Sequence, residues 1–197
     1  MRRLVCMFLI MTGLSACVSV LPEEESADAL YSFSPITIIA DLQLNHSVLV
    51  REPEAPFIFS GRNIVTRDDA NAIRYVKGVE WADRVPKLFQ YSLLDSFNAE
   101  NTGFAILPET GSRADYEVSW RIVEFTLKDT QAVAHMEVTL LDGSNRKAVR
   151  QTLLQASIPV TERGAEARID ALVQAAQDII EQAALFISTS LGQLEAS

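Results

Sequence analysis

The sequence predicts an α+β domain, a mainly antiparallel sheet with two helices packed on one face. Three observations carry that expectation. Short β-rich runs lie between residues 47 and 76, and period-two alternation returns between 116 and 158. Two other segments, one after Trp81 and one after Pro159, repeat apolar residues at three- and four-residue steps. The order is strands, helix, three strands, helix with no internal repeat, and that segregation suits helices covering one face of a sheet.

Each element has its own signal. The folded part begins near Tyr31, and Ser47-Val48-Leu49-Val50-Arg51 reads as a strand before a loop holding Pro53 and Pro56. Asn63-Ile64-Val65-Thr66-Arg67 and Ala72-Ile73-Arg74-Tyr75-Val76 flank Asp68-Asp69-Ala70-Asn71, a hairpin whose side chains can close the turn. Trp81, Val85, Leu88, Phe89, Leu93 and Phe97 form one apolar helical face, with Asp83 as expected N-cap, Pro86 in the first turn and Gly103 as stop. All of that face, Leu88 included, is expected in the core. Phe104-Ala105-Ile106-Leu107 follows, then a turn over residues 108–112. In the next strand Tyr116, Val118, Trp120 and Ile122 point one way, while Glu117, Ser119 and Arg121 point to the other face. Residues 133–141 and 151–158 continue the alternation across Asp142-Gly143-Ser144-Asn145, a hairpin turn sequence. Ile169, Leu172, Val173, Ala176, Ile180, Ala183 and Ile187 line the last helix.

Composition excludes several functions. Over 197 residues, 48% are hydrophobic and 22% charged, an ordinary globular balance that needs no metal or disulfide staple. The formal net charge is −9 and no basic stripe offsets it, so nucleic-acid binding by phosphate neutralisation is not expected. Two cysteines and two histidines supply too little for a zinc cluster.

The front of the chain is an address. Arg2 and Arg3 precede a mostly apolar stretch over residues 4–14, too short to span a bilayer. Leu14-Ser15-Ala16-Cys17 then resembles the bacterial lipobox. That likeness implies a signal peptide over 1–16, a diacylglycerol thioether on Cys17 and acylation of its new amine. Cys6 leaves with the peptide, as do Arg2 and Arg3, which takes the net charge from −9 to −11. Such a surface is repelled by anionic headgroups, so attachment has to come from the acyl chains. Val18 occupies the position where an inner-membrane retention signal places Asp, which favours the periplasmic face of the outer membrane. Residues 17–29, with Pro22, Glu23, Glu24, Glu25 and Asp28, read as a lipidated acidic tether, and 30–197 as the domain.

No catalytic set can be assembled from the motifs. His46 and His135 lie far apart in sequence, and His135 sits in a strand beside Met136, a structural or surface position. Asp68 and Asp69 are turn acids before they are metal ligands. Gly111-Ser112 reads as loop, and Trp81 and Trp120 read as core. Gly-x-Ser-x-Gly, Gly-x-Gly-x-x-Gly and the phosphate-cradling loop are absent. The expectation is therefore no enzyme, no metal and no cofactor beyond the covalent lipid on Cys17.

Several ordered segments carry a family likeness. Val48-Leu49-Val50-Arg51-x-Pro53, Ile64-Val65-Thr66-Arg67, Trp81-Ala82 ahead of Leu88 and Gln90, and Ala114-Asp115-Tyr116 before a long strand resemble the ABC-type transport auxiliary lipoproteins. These are the PqiC-like lipoproteins that accompany MCE-type lipid-transport systems. Phe57-Ile58-Phe59-Ser60-Gly61 departs from that family's usual Tyr-Leu-Asp stretch. The resemblance implies a fold similar to the TolB amino-terminal domain, no catalysis, an MCE-domain partner with its ABC transporter complex, and allows a homo-oligomer. Two other readings stay open: a lipid- or small-ligand-binding periplasmic lipoprotein, and an envelope assembly lipoprotein.

The lipobox likeness yields a direct test. Cys17→Ser should release the chain from the membrane pellet, because the acyl chains are its expected anchor. Fractionation of cells expressing this variant checks it, and retention of the variant with outer membrane through detergent-free washes would refute the anchor.

Overall fold

The computed structural model describes residues 27–33, 44–98, 104–161 and 164–195. Cys6, Cys17, the acidic run at 22–25 and Gly103 lie outside the described residues. The chain folds as β1 (Ala29–Tyr31), β2 (Ser47–Val50), β3 (Asn63–Arg67), β4 (Ile73–Trp81), α1 (Val85–Asn98), β5 (Phe104–Ile106), β6 (Tyr116–Leu127), β7 (Gln131–Asp142), β8 (Ala148–Pro159) and α2 (Ala165–Glu195). Among the described residues eight strands form one mixed sheet, and two helices cover one of its faces. The expected α+β class holds.

β6 organises the sheet from both of its edges. One edge pairs antiparallel with β7 along its whole length, and β7 pairs antiparallel with β8. The other edge is shared. β2 lies parallel to its start, a single bridge from Glu54 meets Arg121, and β3 lies parallel to its end at Leu127. β5 extends the sheet beyond β2, while β4 and β1 extend it beyond β3. The three antiparallel pairings make up most of the ladder; the parallel ones are short. β1 was not foreseen, because three residues leave too little periodicity to read.

Alternation along β6 starts as expected and then changes phase. Val118, Trp120 and Ile122 are buried, but so are Phe125 and Leu127, which an unbroken period of two would turn to the opposite face. A bulge between Ile122 and Glu124 absorbs the extra residue, Val123, and returns the apolar side chains to the core.

The start of α1 departs from its sequence reading. Trp81 is the last residue of β4 rather than the first turn of a helix, and its amide donates to the Arg62 carbonyl at 2.8 Å. β4 runs past the expected end at 76 because Gly78, at φ 75°, lets the strand bulge away from β3 and rejoin it at Asn63. Asp83 does not cap the helix. Its carboxylate takes the next amide, that of Arg84, while Arg84 supplies the first helical carbonyl to Leu88. The Val85 amide is satisfied by Gly61. Leu88 is only partly buried, so the inward face of α1 is Val85, Phe89, Leu93 and Phe97 with the polar Gln90, Ser92 and Ser96. Gln90 is buried because its Nε2 donates to the Val50 carbonyl at 2.9 Å, tying α1 to β2.

Aromatic packing joins these elements. Phe33, Trp81, Phe89 and Phe125 sit with ring centroids 4.8–5.9 Å apart. α2 presents Ile169, Leu172, Ala176, Ile180, Ala183 and Ile187 to the sheet, and its alanines let the helix approach β7 closely.

Burial on α1 separates two leucines. Leu93→Ala should cost about 2–5 kcal/mol, as for a fully buried leucine, whereas Leu88→Ala should cost distinctly less. Urea melts of both variants measure the difference, and equal costs would contradict the orientation of the helix.

Candidate functional site

A dense polar arrangement gathers where β2 and β6 begin and the β7–β8 hairpin turns back. His46, Arg113, Asp115, Tyr116, Asp142, Ser144 and Arg146 line an open cleft there of about 670 Å³. The hairpin closes tightly beside it. Asp142 accepts from the Ser144 amide and hydroxyl at 2.7 and 2.6 Å, which holds its carboxyl below the usual range. A Cβ on Gly143 would lie 2.1 Å from the Ala114 carbonyl oxygen, so only glycine fits that approach.

Ser47 and Asp115 clasp each other across the start of the parallel β2–β6 pair. The Ser47 amide and hydroxyl donate to Asp115 Oδ2 at 2.9 and 2.7 Å, and the Asp115 amide donates back to Ser47 Oγ at 2.9 Å. These bonds, with nearby His46, hold the Asp115 carboxyl below its ordinary range. His46 stands 4.0 Å from Asp115 by Nδ1 and 3.3 Å from Glu195 by Nε2, and its ring packs edge-on against Tyr116. A serine, a histidine and an aspartate thus meet in the wrong order for nucleophilic catalysis. The serine proton goes to an already ionised carboxylate, and the imidazole faces a second carboxylate instead of the hydroxyl.

Glu117 sits two residues beyond Asp115. Alternation assigns it to the solvent face, yet its side chain is only 9% exposed. Arg51 grips it with Nε and Nη2, and Arg146 Nη1 donates to Oε2 at 3.0 Å. The carboxylate raises the Arg51 pKa in turn. Two guanidinium stems cover a carboxylate that water would otherwise reach, which is why the polar face is closed there. The Arg51 carbonyl also accepts from Trp120 Nε1 at 2.6 Å, linking this pair to the core.

The other singled-out residues are structural in place. Asp68 closes the β3–β4 turn by accepting the Ala72 amide at 2.8 Å and pairing with Arg74, which lowers its pKa. Asp69 is exposed in that turn. His135 lies 3.6 Å from Glu124 on the outer face, remote from His46. Trp81 and Trp120 are buried, and Gly111 takes a left-handed conformation, φ 68°, after a single helical turn at 108–110. Among the described residues no group of His, Cys, Asp and Glu could hold a metal ion, and no helix is long and apolar enough to cross a membrane. Sequence reasoning missed Glu117, Arg51, Arg146 and the exposed Phe57, at 88% exposure on the loop where the family likeness breaks.

The Ser47 clasp has a pH signature. A carboxyl with a depressed folded pKa stabilises the fold above the ordinary carboxylate range, and loses that contribution as pH falls through its folded value. Ser47→Ala should therefore cost about 1 kcal/mol near neutral pH and progressively less in acid. Denaturant melts across pH 3–7 check it; a cost that grows on acidification would contradict the clasp.

Comparison with known proteins places this geometry. The family model described as the ABC-type transport auxiliary lipoprotein component matches residues 36–188. No curated protein matches the sequence. The solved structure of protein XCC0632 from Xanthomonas campestris, of the DUF330 family, is similar at TM-score 0.75 and 17% identity, covering 87% of this chain and 98% of that one. An uncharacterized protein of known structure follows at TM-score 0.64 and 13% identity, covering 82% and 99%. The hypothetical protein CT253 from Chlamydia trachomatis matches at TM-score 0.52 and 11% identity, covering 74% and 97%. At such identities the structural likeness is one of fold, and the family match is what spans β2 to β8, α1, most of α2 and the polar cleft: this chain belongs to the ABC-type transport auxiliary lipoprotein family.

Proposed function

We propose that this chain is a non-catalytic periplasmic lipoprotein that serves an ABC-driven, MCE-type lipid-transport system by docking its MCE partner. The lipid on Cys17 would hold it at the inner leaflet of the outer membrane, with the domain below. The single observation that carries the reading is the family match over residues 36–188, whose members are transport auxiliary components. The site chemistry agrees with it. Ser47, His46 and Asp115 are held in structural contacts, and the cleft beside them is open and lined by charged side chains rather than enclosed and apolar. Such surfaces suit a modest, partly polar protein interface.

The partner would be held by shape and polar complementarity, and the acidic surface would make association sensitive to salt. The experiment is co-purification of the tagged full chain with the MCE protein encoded nearest to it, at low and high ionic strength. The MCE subunit should be retained, with association slowing as salt rises. Its absence at both salts, with lipid recovered on the chain alone, would replace docking by the lipid-carrier reading.

A further inference from the structure

The first described residues of the domain enter along β4. The Asp28 amide donates to the Gly78 carbonyl at 2.7 Å, and β1 then runs parallel to β4 toward Trp81. Residues 27 and 28 thus lie on the side of the β3–β4 turn. They line an open groove of about 640 Å³ there, together with Tyr75, Lys77 and Glu80. Ala27 stands ten residues beyond Cys17, which limits the reach between them to about 35 Å. A domain of this length is roughly 40 Å across, so the side bearing Ala27 is the one that can meet an anchoring bilayer directly.

Register sets what that side presents. Arg67 pairs with Ile73 and Val65 with Tyr75, so Arg67, Ile73 and Tyr75 share one face of the hairpin, and the exposed Lys77 continues it. Ile73 and Tyr75 are 44% and 45% exposed, and Leu30 of the adjoining β1 is exposed as well. Arg74 pairs with Asp68 and Arg62 with Glu80. Arg67 and Lys77 then balance Asp28 and Asp69, so this patch carries no net charge in a chain of −9.

We propose that this face of the β3–β4 hairpin rests on a phospholipid bilayer, with Ile73 and the Tyr75 ring at headgroup depth and Lys77 and Arg67 turned to phosphate oxygens. An aliphatic side chain beside a tyrosine, flanked by cations, has the composition of an interfacial membrane contact. Charge selects the occupant. The acidic remainder of the surface is repelled by anionic headgroups, whereas this neutral patch is not. The contact presupposes the lipid on Cys17 proposed above. The acyl chains supply the affinity and the hairpin supplies the orientation, so the domain keeps one side to the membrane instead of swinging freely on its tether.

The test places a photo-crosslinking amino acid at Ile73 of the full chain, in cells grown on radioactive phosphate. A crosslinked phospholipid labels the purified, denatured chain, while the diacylglycerol and acyl groups on Cys17 contain no phosphorus. Label is expected after irradiation. The same probe at Leu153 of β8 or Leu185 of α2, 53% and 43% exposed, should take up about fivefold less. Tyr75→Asp combined with Lys77→Glu, both at exposed positions, should lower the Ile73 label about fivefold at unchanged abundance. An unlabelled Ile73 chain that still pellets with membranes would overturn the contact and leave the anchor standing; a chain absent from the pellet would overturn both. Equal label at all three positions, undiminished label in the double variant, or a protein adduct in place of phospholipid would also overturn it.

Discussion

The fold depends on one strand having to pair along both edges while keeping its apolar side chains on one face. β6 takes β7 along one side, and β2, Glu54 and β3 in succession along the other. Those partners arrive at different places along its 12 residues, so its twist and register position everything else. The bulge at Val123 makes this workable. Without it Phe125 would point to the outer face, away from Phe33, Trp81 and Phe89, and the aromatic cluster linking the segment after β1 to β4 and α1 would lose its centre.

The same strand carries the polar end of the molecule. Asp115 precedes β6 and Tyr116 and Glu117 open it, and each is engaged by a neighbour: Ser47 on Asp115, His46 on Tyr116, two arginines on Glu117. An acidic chain thus spends its basic groups locally, and the cleft is ordered by internal bonds rather than held open for a substrate. A surface of this kind, rigid and mixed in charge, offers a partner polar complementarity at low ordering cost. The loop bearing Phe57 is comparably fixed, since the amides of Glu54, Phe59 and Ser60 all find backbone acceptors while the ring stands out to solvent.

Much of the fold was legible because its signals are local. The 63–67 strand, the Asp142 hairpin and the apolar stripe of α2 follow from period and turn chemistry within a few residues. What escaped is what the distant chain decides. Trp81 fits a helical spacing with Val85 and Leu88, yet a parallel pairing with Tyr31, its amide's bond to the Arg62 carbonyl and the bond from Arg62 Nε to the Trp81 carbonyl keep it in β4. Glu117 alternates correctly for the solvent face, but Arg51, 66 residues earlier, and Arg146 close over it. The bulge at Val123 leaves no glycine or proline to announce it. For the same reason the clasp of Ser47 on Asp115 was unreadable, although Ala114-Asp115-Tyr116 had already stood out by family likeness.

In the proposed role the domain docks a transport partner and is not itself the carrier. Native mass spectrometry of the full chain, extracted gently from membranes, addresses that most directly. A species equal to the chain plus its covalent acyl groups is expected, together with a complex containing an MCE subunit. A stoichiometric, non-covalently held lipid on the isolated chain, surviving when the partner is gone, would contradict it.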